Sequence, residues 1–163
     1  MLKPAQLYKE ELNRKYIETW YDDKYKFYRS DPYAGNISIP NNNSQKHSFV
    51  CIDDKGSVIG YFSYSVNWEV KSICNFGLIS FIDNNNCILI KDIIRQLSHM
   101  IKDVGFKRIE FWAFKDNPAN KGYSKIVKRY GGSQVAELHN VAMLSDGKLH
   151  DMVIYEILFE DKE

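Results

Sequence analysis

Apolar positions along the chain follow two periods. Over the segment leading to Gly105 they recur at helical spacing: Ile90, Ile93, Ile94, Leu97, Met100, Ile101 and Val104 form one stripe, and the glycine supplies a stop. Residues 48–66 and 72–82 instead carry short runs rich in Val, Ile, Phe and Tyr. Asp54-Lys55-Gly56 and Asn67 interrupt them, which predicts a hairpin followed by a third strand. Gly77 within that third strand suits a bulge or a close backbone approach. RIEFWAF (108–114) reads as a further strand, and 118–130 as a helix with Pro118 at its first position. Residues 134–144 and 150–160 form a closing hairpin around Ser145-Asp146-Gly147-Lys148. Upstream, Leu7, Leu12, Tyr16, Ile17 and Trp20 predict a helix over 5–20, with a second short one over 21–29 and a long loop over 31–45. The order is helix, helix, hairpin, strand, helix, strand, helix, hairpin. It predicts one α/β (α+β) domain spanning 1–163, a mixed, mostly antiparallel central sheet with helices on both faces.

Composition narrows the function classes. With 163 residues, 44% hydrophobic and 14% aromatic, the chain can sustain a packed core. Basic and acidic residues number 22 and 21, so the basic face that nucleic acid requires is not expected. Cys51, Cys74 and Cys87 lack metal-ligand spacing and sit in apolar runs; they read as buried free thiols, with no metal. No stretch has the apolar length of a membrane span and the N-terminus has no signal-peptide core. A cytoplasmic protein without a membrane partner is expected.

Two strand-to-helix junctions could carry chemistry, FIDNNNCILIK (81–91) and FKDNPANK (114–121). Ligands in such sheets collect at the carboxyl ends of parallel strands, where free amides at a helix start can receive a phosphate. Lys115 and Lys121 could neutralise it. The same residues also suit purely local roles: Asn84 to Asn86 as turn and cap, and Asn117 as a cap with Asp116 helping the helix dipole. Neither junction contains a glycine-rich phosphate loop. Glu110 alternates onto one face with Arg108, Trp112 and Phe114 and reads as the partner of Arg108. His47, His99, His139 and His150 form no pair with a nucleophile; His99 reads as packing or surface.

Taken with the element order, the stretches GLISFI (77–82), DNPANKGYSKIVKRYGG (116–132) and SDGKLHDMVIYEI (145–157) resemble the GNAT-superfamily N-acetyltransferases. The resemblance covers about 48–160, and Leu2 to Ala5 resembles the family's first strand. It implies a single-domain GNAT-like fold and the use of acetyl-CoA as cofactor. It assigns Ile79, Ser80, Phe81 and Ile82 to the pantetheine and acetyl group. Asn85, Asn86, Cys87, Ile88, Leu89, Ile90 and Lys91 fall to the pyrophosphate turn, and Asn117, Asn120 and Lys121 to the far side of the cofactor. It also implies direct attack by a primary amine, carried on a small-molecule or peptide acceptor, with Tyr123 as the proton donor by approximate register. The chain departs from the family where phosphate binds. The family's glycine positions fall near Asn86, Ile88 and Ile90, and none of these is glycine. A degenerate member that binds CoA, an acyl-CoA or a protein partner without turnover is therefore the alternative. Tyr16, Trp20, Tyr21, Tyr25, Phe27 and Tyr28 read mostly as core, with acceptor contacts or a homodimer face left open.

Overall fold

The computed structural model describes residues 1–28, 37–82 and 86–160. Its strands are β1 (Leu2–Pro4), β2 (Lys46–Ile52), β3 (Val58–Asn67), β4 (Ser72–Ser80), β5 (Arg108–Phe114), β6 (Ser133–Met143) and β7 (Leu149–Leu158). The helices are α1 (Lys9–Glu18), α2 (Cys87–Lys102) and α3 (Asn120–Arg129), with 3-10 turns at Ala5–Tyr8 and Asp23–Tyr28. All seven strands form one sheet in the order β1-β2-β3-β4-β5-β7-β6. Only β4 and β5 run parallel; every other pair is antiparallel.

Two cores sandwich this sheet, because alternate residues of a strand face opposite sides. On one side Leu12 and Tyr16 of α1 meet Val50, Val58, Tyr61 and Ile79. On the other, Phe62, Tyr64, Ile73, Ile109, Val153 and Tyr155 meet Leu89 and Met100 of α2 and Val127 of α3. The helix predicted over 5–20 divides instead into a 3-10 turn and α1, and the second short helix is a 3-10 turn.

The apolar stripe of α2 starts one residue earlier than predicted. Ile90 is 43% exposed, whereas Leu89 is 2% exposed and continues through Ile93, Leu97, Met100, Ile101 and Val104. The cap sets this phase: the Asn86 side chain accepts the Leu89 N–H at 3.0 Å. Leu89 then seats the helix on β3, where a Cβ at Gly60 would stand 2.7 Å from its Cδ2. Cys87, expected to be buried, is exposed on the opposite side of this first turn, while Cys51 is buried and Cys74 half-buried. Pro118 is not the first helical residue. Asn117 accepts the Ala119 N–H at 2.9 Å through its side chain and the Asn120 N–H at 2.9 Å through its carbonyl, so a turn precedes α3.

α3 ends in a Schellman arrangement. Gly131 sits at φ 75°, its N–H reaches the Lys128 carbonyl at 3.1 Å, and Gly132 reaches that of Val127 at 2.9 Å. Gly132 lies so close to β7 that a Cβ there would be 2.2 Å from the Glu156 carbonyl oxygen. Gly132→Ala is therefore expected to cost about 1–3 kcal/mol. Denaturant unfolding of the variant measures this, and an unchanged midpoint would rule out the close approach.

Candidate active site

β4 and β5 pair only at Ser72↔Arg108 and Ile73↔Ile109. Beyond Ile73 the two strands part, and the cause is local. Between Ser63 and Ser65 the β3–β4 register shifts, and across that point Asn75 adopts φ 52° on β4. The extra residue bends β4 away from its parallel neighbour. Gly77 then lies against β3, where a Cβ would be 2.5 Å from Ser63 Oγ. Phe76 and Phe111, rings 6.0 Å apart edge to face, fill the base of the gap.

Parity decides which backbone groups open into this splay. Phe81 donates its N–H to the Ile59 carbonyl at 3.0 Å, and the paired register runs Tyr61↔Ile79 and Ser63↔Gly77. Hydrogen-bonded pairs alternate in an antiparallel ladder, so Ile79 and Phe81 turn their backbone groups to β3, whereas Leu78 and Ser80 turn theirs to the gap. Of the contiguous run 79–82, then, Ser80 faces the opening and Ile79 is buried in the α1-side core. The Phe81 side chain packs against that core, and Ile82 is 41% exposed at the exit. Leu78, missed in the sequence, faces the opening.

At the start of α2, Asn86 is a structural hub. Besides capping Leu89, its amide nitrogen donates to the Ile59 carbonyl at 2.9 Å and to Ser80 Oγ at 3.2 Å. Cys87, Ile88, Ile90 and Lys91 are exposed around it, Leu89 points inward, and Asn85 lies outside the described residues. Across the gap Asn120 staples the end of β5. It donates to the Phe114 carbonyl at 2.5 Å and the Lys115 carbonyl at 2.9 Å, and receives the Tyr155 hydroxyl at 3.3 Å. Asn117 holds the turn before α3, and Lys121 is exposed beside it. Lys115 is committed elsewhere, to Glu137 on β6.

Tyr123 comes from α3 beneath the opening, its ring edge-on to Phe111 at 5.7 Å. Burial pushes its hydroxyl up to about 12, and Tyr28 adds to the rise. Tyr28 belongs to the 3-10 turn Asp23–Tyr28, and its own hydroxyl is raised by burial and by Tyr25. The N-terminal segment thus reaches the same place as α3, a meeting that no local spacing foretold.

A second cluster absent from the sequence reading closes that end of the sheet. His150 at the start of β7 is buried, with Asp116 on its Nδ1 at 2.9 Å and Asp146 on its Nε2 at 3.0 Å. Lys26 reaches Asp146 at 2.7 Å. The rings of Phe27 and Phe114 lie 5.9 and 6.1 Å from the imidazole, both edge-on. The cluster ties the β5–α3 turn, the β6–β7 turn and the 3-10 turn together. Its asparates were in view in the sequence, but they are distant from Lys26 and only the fold joins them. Glu110 does pair with Arg108, which also reaches Glu156 at 2.9 Å. His99 is a surface residue paired with Asp103. Glu137, His139 and Asp151 bring three ligand atoms within 4.8 Å. Lys115 already occupies Glu137, however, and Asp151 accepts the Asn140 N–H at 3.0 Å.

No family model and no curated protein sequence matches the chain. Solved structures do. A provisionally assigned phosphinothricin N-acetyltransferase superposes with TM-score 0.72 at 14% identity, over 99% of both chains. A GCN5-related N-acetyltransferase from Brucella melitensis gives 0.67 at 14% identity, over 96% of this chain and 74% of that one. A mutant form of the spermidine N-acetyltransferase SpeG from Vibrio cholerae gives 0.57 at 18% identity, over 72% of this chain and 66% of that one. The fold is that of the GNAT-type N-acetyltransferases.

Proposed function

We propose that the chain is an acetyl-CoA-dependent N-acetyltransferase acting on a primary amine of a small molecule or peptide. The observation that carries this reading is the splay: a parallel pair that stops at Ile73↔Ile109 and leaves the Leu78 and Ser80 backbone groups facing a gap lined by Phe76, Phe111 and Tyr123. An extended pantetheine arm can pair with those groups as an added strand does. The acetyl thioester supplies an activated acyl carbon, to which the acceptor nitrogen bonds as the carbon–sulfur bond breaks.

The chain's own residues then have distinct tasks. An amide of Leu78 or Ser80, fixed by the β3 ladder, offers a preorganised donor to a carbonyl oxygen that gains charge. Phe76 and Phe111 keep water from the floor of the gap. Tyr123 holds a proton at its hydroxyl: the group stays neutral near pH 7 and passes that proton on while taking one from the acceptor nitrogen. Among the described residues, Asp116 and Asp146 at this end are engaged by His150, and Asp146 also by Lys26. This favours an acceptor with one amine on an apolar body over a polycation such as the spermidine of the SpeG neighbour. A reducing, cytoplasmic setting agrees with three free cysteines.

Thermal unfolding with acetyl-CoA, CoA or ATP tests the reading. A ligand at about 100 times its dissociation constant adds roughly 2.7 kcal/mol, which is a rise of roughly 5–10 °C for a domain of this size. Acetyl-CoA and CoA are expected to raise the midpoint and ATP to leave it unchanged. Equal shifts with all three would indicate nucleotide binding without the pantetheine site.

A further inference from the structure

α2 opens with apolar side chains in solvent. Ile88 and Ile90 are each 43% exposed, Ile82 at the exit of β4 is 41% exposed, and Cys87 is exposed between them. A helix start that only had to be soluble would carry polar residues here. The same residues suit a nucleotide badly. Close approach of a pyrophosphate to a helix start uses glycines, and two isoleucines stand in their place. The Leu89 amide is already taken by Asn86. That leaves the first two amides of the helix, Cys87 and Ile88, enough for a single phosphodiester.

Cations lie beside this apolar patch. Lys91 follows on α2 and Lys121 lies in the first turn of α3, while Lys125 and Lys128 continue that outward stripe away from the mouth toward the last turn. All four are exposed. Among the described residues none of them has an ion pair, whereas Lys24, Lys26 and Lys115 each have a carboxylate. β4 and β5 are parallel, so α2 and α3 begin at the same end of the sheet on either side of the splay. The mouth of the splay is therefore an apolar centre with a basic flank.

We propose that this mouth docks an acidic acyl carrier protein, and that the acyl donor arrives on the carrier's phosphopantetheine arm in preference to free acetyl-CoA. The inference rests on the reading above, that a pantetheine arm lies in the splay. A carrier-borne arm has one phosphodiester in place of the pyrophosphate and ribose phosphate of CoA, and so asks for no glycine cradle. Acidic residues on the carrier complement the lysines and raise the association rate, while its apolar residues cover Ile82, Ile88 and Ile90. The reaction balances without a further reagent. The acceptor nitrogen bonds the acyl carbon, the carbon–sulfur bond breaks, and the proton lost by nitrogen ends on the thiol left on the carrier.

Calorimetric titration of the full chain tests this with four probes: a bacterial acyl carrier protein bearing acetyl-phosphopantetheine, acetyl-CoA, S-acetyl-pantetheine, and vesicles of phosphatidylglycerol. The acetylated carrier is expected to bind at least tenfold more tightly than acetyl-CoA. Lys125→Glu should weaken the carrier at least threefold and leave S-acetyl-pantetheine unchanged. Ile88→Ser with Ile90→Ser should weaken the carrier as well. Equal or tighter binding of acetyl-CoA, a carrier affinity indifferent to the charge reversal, or binding to vesicles but not to the carrier overturns the proposal. S-acetyl-pantetheine bound with the carrier unbound removes this inference alone. Failure of every pantetheine probe removes the reading of the splay itself.

Discussion

Tyr123→Phe is expected to lower turnover by about 10²-fold or more, the usual contribution of a positioned proton donor, without weakening the fold. The two effects separate because the ring and the hydroxyl do different things. The ring packs edge-on against Phe111 and joins the core beside Val127, and phenylalanine retains both contacts. The hydroxyl makes no hydrogen bond among the described residues, so its loss leaves no donor or acceptor stranded. Burial, with Tyr28 adding to it, holds the group at about 12. It is consequently a neutral donor throughout the neutral range, and the rate should show no alkaline fall from Tyr123 below that value. Steady-state rates and thermal midpoints of the pair of proteins decide the matter. A Phe variant that keeps turnover within threefold of the parent would assign the proton to water and leave Tyr123 a packing residue.

The strands and long helices were legible because they rest on short-range signals. Alternation located β2 to β5, and the Asp-Gly turn located the β6–β7 hairpin, whose Gly147 adopts φ 72°. The phase of α2 was less so. Isoleucines at 88, 90, 93 and 94 allow two overlapping stripes, and the choice falls to Asn86, whose cap fixes which of Leu89 and Ile90 turns inward. Hydrophobicity alone carries no information on that choice, since both residues would be content inside.

The candidate site was legible as a region and not as a set of atoms. Its run of residues from Ile79 to Ile82 is contiguous, whereas a strand offers every second residue to one side. Correct parity depends on the irregularity at Asn75, which shifts all that follows by one residue. Leu78 was missed for that reason. The meeting of Tyr28 with Tyr123 and the His150 cluster were missed for another: each joins residues remote in sequence, and no spacing rule spans the gap between Lys26 and Asp146. Asn117 and Asn120 were both assigned to the cofactor by the resemblance; their side chains hold backbone, a local role that the sequence offered for Asn117 alone.

Stability is expected to peak on the mildly acidic side of neutrality and to decline as pH rises, and His150→Phe should make that decline shallower near neutral pH. Hydrogen bonding to Asp146, aided by Asp116 and opposed by desolvation, raises His150 above the ordinary histidine value. A raised pKa means the folded state binds the proton more tightly. Its contribution is therefore complete below about pH 6.5, where the unfolded histidine is also protonated, and is lost as pH climbs through the folded value. Asp146 works in the other sense. Lys26 first, and His150 next, hold it well below the usual carboxylate range. Its contribution is complete above about pH 4 and is lost as pH falls toward the folded value. Both contributions are present together between those limits. Phenylalanine at 150 keeps an aromatic ring between Phe27 and Phe114 but takes up no proton. The parent should take up more protons on folding near pH 7 than the variant, read from the slope of stability against pH. Parallel profiles for the two proteins would place the charge elsewhere. The outcome reaches beyond stability, since Lys26 and Phe27 anchor the 3-10 turn that brings Tyr28 to Tyr123. A protein that loses the His150 proton loosens the segment bordering its own splay, so the alkaline limb of activity should follow that of stability.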